Sequence, residues 1–268
     1  MTSRDDRNGR HEARRPGPWD RPAAPETAAQ RPRPSALLSE RRWTSRLSVI
    51  AFVLIVATTL VQAFKDMSRP DAWAYWKDLY FSHSMTSALV SEADLGGLGH
   101  RRSALVISGE IGAASASWFR ERLDEARLVP GDVVLMSSPG GNLEQAVIMG
   151  EVIRARGLAT AVGVIDGADK VKPSHCASAC VFVFAGGTTR FGVAGSRLGV
   201  HRFVSNAADH DAVSETQRTT GQILSYLTRM GVSSSSFVEA MSATGDIRWL
   251  DMRDARAMNL ITDPLRAQ

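Results

Sequence analysis

Cysteine is nearly missing from this chain: Cys176 and Cys180 are the only two among 268 residues. Two thiolates do not make a zinc site without further ligands, and the adjacent His175 supplies only one more. Net charge is equally sparse. A formal charge of +4 gives no compositional reason to expect nucleic acid as a partner. The Gly-Gly turn in "SSPGGN" lacks the Lys and Ser/Thr of a phosphate loop, which removes that reading. No internal repeat is found. Residues 1–46 lack apolar periodicity and are instead rich in Pro and Arg, Arg4, Arg7, Arg10, Arg14 and Arg15 among them. Such a stretch cannot bury enough surface to offset the entropy of ordering it. A disordered basic tail is expected there.

What is present begins with "LSVIAFVLIVATTLVQAF", residues 47–64. It is a run of about 18 residues without a formal charge, near the lower limit for a membrane-spanning helix. A core helix would need a polar face, which this run lacks, and a cleaved signal would not carry so long a basic region ahead of it. An uncleaved transmembrane anchor is expected. Arg41, Arg42 and Arg46 precede the span, whereas Lys65, Asp66, Arg69 and Asp71 roughly cancel after it. The positive-inside rule then puts the N-terminus in the cytoplasm and everything beyond residue 65 on the exported side, the periplasm in a bacterium. Membrane lipid is the first expected partner. Residues 65–102 read as a juxtamembrane linker. Within it Trp73, Tyr75, Trp76 and Tyr80 suit either an interfacial anchor or a short helix packing on the next domain.

From residue 103 to 268 strand-like and helix-like stretches alternate. "SALVISGEI", "DVVLMSS" and "LATAVGV" are apolar strands. "SASWFRERLDEARL" and "NLEQAVIMGEVIRARG" have helical periodicity, the latter with Asn142 as its cap and Gly157 as its stop. "VFVFAGG" is an apolar helix, and "RFGVAG" and "SRLGVHRF" are strands. This order predicts an α/β domain with mostly parallel strands.

Three short features share that domain. Gly140 and Gly141 lie between a buried strand and a helix, where backbone N–H groups can face negative charge. Ser178 sits between Ala177 and Ala179, small residues that leave its approach open. His201 closes an apolar strand. Each alone reads as structure: a tight turn, a packed serine, a satisfied core histidine. Their order and spacing resemble the Clp protease proteolytic subunit and its relatives in the ClpP/crotonase-like superfamily, over about residues 103–263. "SPGG" at 138–141, Ala177-Ser178 opening a helix, His201 ending a strand and "RWLDMRDARAMNLITD" at the close are the matching stretches. With its "CASAC" box the chain looks like the membrane-anchored, exported branch of that superfamily.

The resemblance implies a serine peptidase that needs no cofactor or metal. Ser178 would attack a peptide carbonyl of a peptide or protein substrate, and His201 would take its proton. The N–H groups of Gly141 and Ala179, beside Gly140, would hold the oxyanion. The family's acid falls by position on Ile247, so Asp246, one residue away, is the candidate third member; Asp209 and Asp211 are weaker substitutes. A homo-oligomeric ring is open on the same grounds. Cys176 and Cys180 are either a disulfide across Ser178 or two buried thiols. The alternative to a working peptidase is a ClpP-like binding or scaffold module at the membrane with little or no catalysis. An acyl-CoA enzyme is disfavoured, because that chemistry has no use for a Ser-His pair.

Overall fold

The computed structural model of the chain describes residues 34–95, 101–202, 212–242 and 246–265. Two compact units emerge, residues 1–61 and 62–268, and each is taken by itself.

The first contains most of helix α1, Pro34–Met67. Its stretch Arg46–Met67 has 22 residues, none of them buried, and an 18-residue window within it has a mean hydropathy of 2.4. At 1.5 Å per residue that is about 33 Å, enough to cross a hydrocarbon core of about 30 Å. Leu, Ile, Val and Phe occupy every side of it, so it has no polar stripe for a soluble core helix to show. The hydroxyls of Thr58 and Thr59 donate back to the carbonyls of Leu54 and Ile55 at 2.9 and 2.7 Å, which satisfies them within the helix. The helix starts earlier than expected: residues 34–46 belong to α1 rather than to a tail. Once a long apolar helix is nucleated, helix formers such as Ala36, Leu37, Leu38, Glu40, Arg41 and Arg42 extend it at little cost. Residues 1–33 of the expected tail lie outside the described residues.

In the second unit the elements run α2 (Pro70–Tyr80), β1 (Met85–Ala93), β2 (Arg102–Gly109), α3 (Ser115–Ala126), β3 (Val133–Ser137), α4 (Leu143–Ala155), β4 (Ala159–Val162), β5 (Val164–Ile165), β6 (Val171–Lys172), β7 (His175–Ala177), α5 (Cys180–Ala185), β8 (Arg190–Gly192), β9 (Arg197–Val200), α6 (Ala212–Arg229), α7 (Ser234–Ser242), β10 (Arg248–Leu250), α8 (Met252–Ala257) and β11 (Asp263–Pro264). Six strands form one sheet in the order β1-β2-β3-β4-β8-β11. All its neighbours are parallel except β1 with β2. Val133 to Met136 are fully buried, as a central parallel strand covered on both faces requires. They alternate between the two faces of the sheet: Val134 and Met136 pack with α3, α4 and α5, while Val133 and Leu135 pack with Ala159, Ala161 and Phe191. A second sheet, β10-β9-β7, stands beside the first, and a bridge from Ser138 to Cys176 links the two.

Within the stretch expected to be a linker, residues 65–102, helix α2 and strand β1 are instead part of the domain. Helix α2 is held by Asp78, whose carboxylate accepts the N–H of Ser84 and of Ala114, each at 2.8 Å. Strand β1 pairs along β2 from Met85↔Gly109 to Ala93↔Arg102. Only its ends are buried; its middle is exposed. An edge strand covered on neither face carries no alternation of apolar and polar residues, so "MTSALVSEA" shows no strand signal.

Candidate functional site

Strands β7 and β9 are three and four residues long, yet their pairing builds the site. They run parallel in the register Cys176↔Leu198 and Ala177↔Gly199. Their C-terminal ends therefore deliver Ser178 and His201 to the same place, though 23 residues separate them. His201 Nε2 lies 2.7 Å from Ser178 Oγ. The other ring nitrogen, Nδ1, lies 2.7 Å from the carbonyl oxygen of Arg202. A carbonyl oxygen can only accept, so Nδ1 carries a proton and donates it. In the neutral ring Nε2 is then the bare nitrogen, and the Ser178 hydroxyl donates to it. That is the arrangement a general base needs.

Ser178 itself has φ +55°, in the left-handed region that non-glycine residues rarely enter. Holding it there costs about 1–3 kcal/mol, and the surroundings supply the restraint. Its N–H donates to the carbonyl of Gly199 at 2.8 Å. On either side Cys176, Ala177, Ala179 and Cys180 are buried, while Ser178 alone of the five is half-exposed. Cys176 and Cys180 form a disulfide across it, with Cα atoms 5.3 Å apart. Because Cys176 lies in strand β7 and Cys180 opens helix α5, the sharp turn at Ser178 brings the two into the usual disulfide range.

Behind the serine, α5 is buried over its whole length. The Tyr226 hydroxyl donates to the Phe182 carbonyl at 2.6 Å, and burial pushes its pKa up. Arg190, also buried, donates to the carbonyls of Gly187, Met230, Asn259 and Leu260. Burial, with the nearby Arg154 charge, pulls its pKa down to about 10, so it is still a cation at neutral pH. These contacts anchor the helix behind Ser178.

The Gly-Gly turn lies against the serine. Gly140 and Gly141 have φ +108° and +133°. A Cβ on Gly140 would stand 2.7 Å from Ser178 Cβ and 3.0 Å from Ala179 N, and one on Gly141 would overlap the Ile111 carbonyl. Glycine is required by both the conformation and the space. Ile111 pins the turn from outside: its N–H donates to Gly140 O and its carbonyl accepts from Asn142 N, both at 2.7 Å. Gly140 N–H donates to Ser138 Oγ at 3.1 Å. Among the described residues the N–H groups of Gly141 and Ala179 have no acceptor. Two unpaired donors flank one positioned hydroxyl.

Solved structures similar to this chain include ClpP1 from Listeria monocytogenes and a point mutant of it. Each is 16% identical to it, with a TM-score of 0.48, and each match covers 62% of this chain and 92% of that one. No protein-family model matches the sequence, and no curated protein does.

Asp246 is the candidate third member by sequence. The described partner of His201 Nδ1 is the Arg202 carbonyl, and Asp246 lies exposed two residues ahead of β10. Asp209 and Asp211 fall outside the described residues. Among the described residues no group of three or more His, Cys, Asp or Glu is placed to hold a metal. Two features of the site escaped sequence reading. The Arg202 carbonyl is a main-chain group, and residue type carries no signal for it. Gly199 lets β10 close over β9: a Cβ there would meet Ile247 and Trp249 at 2.7 and 2.9 Å. Trp249 stacks under the Arg197 guanidinium at 4.7 Å and meets the His175 ring edge-on at 6.2 Å.

Proposed function

We propose that the chain is a membrane-anchored serine peptidase of the Clp proteolytic-subunit type, with α1 as its anchor and its catalytic domain on the exported side of the membrane. The observation that carries this reading is the 2.7 Å contact between Ser178 Oγ and His201 Nε2. Ser178 attacks a peptide carbonyl as its proton passes to Nε2. The N–H groups of Gly141 and Ala179 take the oxyanion; such donors are worth about 2.7–4 kcal/mol each where they can be removed. His201 then protonates the leaving amine, and water releases the acyl group by the reverse path. The Arg202 carbonyl, rather than Asp246, is the group proposed to fix the tautomer and orientation of the ring.

One observation favours a second reading, a weak or inactive scaffold module. A neutral carbonyl at Nδ1 orients the imidazole but stabilises the imidazolium less than a carboxylate does. Hydrolysis separates the two. The full chain in detergent, given unfolded protein and fluorogenic peptides, is expected to cleave them, and Ser178→Ala is expected not to. Equal turnover by both proteins would remove Ser178 as nucleophile, and no turnover by either would favour the scaffold. The topology is checked with a reporter fused after Gln268, which is expected to be active only when exported.

A further inference from the structure

Helix α2 presents two different faces. The inner one is used by the domain: Asp78, only 9% exposed, holds Ser84 and Ala114, and the Tyr75 hydroxyl lies 3.2 Å from Ser117 Oγ. The outer face carries Trp73, Trp76 and Tyr80, at helical spacing, with Phe81 just beyond. These rings are 65%, 43%, 64% and 74% exposed. Trp76 and Tyr80 stack with centroids 5.4 Å apart, and Trp73 and Phe81 stand at 6.4 Å. The helix cannot turn to hide them without losing the bonds of Asp78.

Single exposed apolar residues are ordinary, but a joined patch of four aromatic rings marks a contact surface. Its composition selects the partner. Trp and Tyr pair a flat apolar body with one polar edge, which suits the boundary between headgroups and acyl chains better than a dry protein groove. Lys77, exposed and one turn from Trp73, offers a cation on the same side for lipid phosphate. The patch is also close in sequence to the apolar helix: only Ser68 and Arg69 separate the end of α1 from the start of α2. Pro70 breaks the one helix and starts the other.

We propose that the outer face of α2 lies in the headgroup region of a phospholipid bilayer and holds the domain against the membrane surface. This rests on the reading of α1 as a membrane span. The test uses the full chain in phosphatidylcholine vesicles, with or without bromines on the acyl chains close to the headgroup. Wild type is compared with Trp73→Phe/Trp76→Phe, whose rings remain apolar, and with each single replacement. The fluorescence lost in the double variant belongs to Trp73 and Trp76. That component is expected to be at least halved by brominated lipid, and each single variant is expected to keep part of the quenching. If the component is equally bright in both kinds of vesicle while the chain resists alkaline carbonate extraction, the rings do not touch lipid and the proposal falls, whatever covers them instead. A chain stripped off by carbonate overturns the anchor reading, and the proposal with it.

Discussion

The two halves of the candidate dyad are held very differently. Ser178 is constrained from every side: a left-handed backbone, a hydrogen bond to Gly199, a disulfide bracket, a glycine turn in contact and a fully buried helix behind. His201 follows a four-residue strand and is oriented by the carbonyl of its own neighbour. Residues 203–211, which follow, lie outside the described part of the chain. The difference teaches where the chemistry is adjustable. Ser178 is preorganised by contacts no single residue controls, whereas among the described residues the His201 ring is oriented by one main-chain carbonyl.

The largest effects should come from the two side chains in contact. Ser178→Ala and His201→Ala are each expected to abolish peptide hydrolysis, with losses on the scale of ~10⁶-fold typical of a nucleophile or its base. The double variant should be no worse than either single one, because the pair acts as a unit; additive losses would separate the two halves. Gly141→Ala comes next. Its Cβ would overlap the Ile111 carbonyl and displace the turn, so a loss of ~10²–10³ in kcat with little change in KM is expected, the scale of one lost oxyanion donor. Unchanged kcat would take the turn out of the chemistry.

Removing the bracket tests the nucleophile's half alone. Cys176→Ala/Cys180→Ala opens a five-residue loop and is expected to lower stability by about 2 kcal/mol, read from denaturant midpoints. Because the other restraints on Ser178 remain, hydrolysis should persist below the unfolding transition. The smallest effect is expected at Asp246. If the Arg202 carbonyl orients the ring, Asp246→Asn will fall far short of the ~10⁴-fold loss that follows removal of a triad acid. A loss of that size would restore Asp246 as the third member and make the base as firmly held as the nucleophile.

Much of this contrast was already visible in the residues. The central strands were legible because "VVLM" is apolar at every position, as burial on both faces demands. Gly140 and Gly141 stood out as a turn, and the alanines around Ser178 as a cleared approach. His201 was legible as the polar end of an apolar strand. What stayed hidden depends on the backbone or on distant pairing. Strands of three or four residues, such as β7 and β9, carry too few side chains to show a period. The exposed edge strand β1 shows none at all, so a linker stood in its place. Whether Cys176 and Cys180 could join depended on the φ angle of Ser178, which residue type does not announce.

The central claim is that Ser178 is a nucleophile activated by His201. The direct measurement is reaction of the purified full chain with a fluorophosphonate, with the adduct located by peptide mass spectrometry. The account predicts one adduct, on Ser178, formed rapidly in wild type and nearly absent in His201→Ala. An adduct elsewhere, or equal labelling of wild type and His201→Ala, would contradict it.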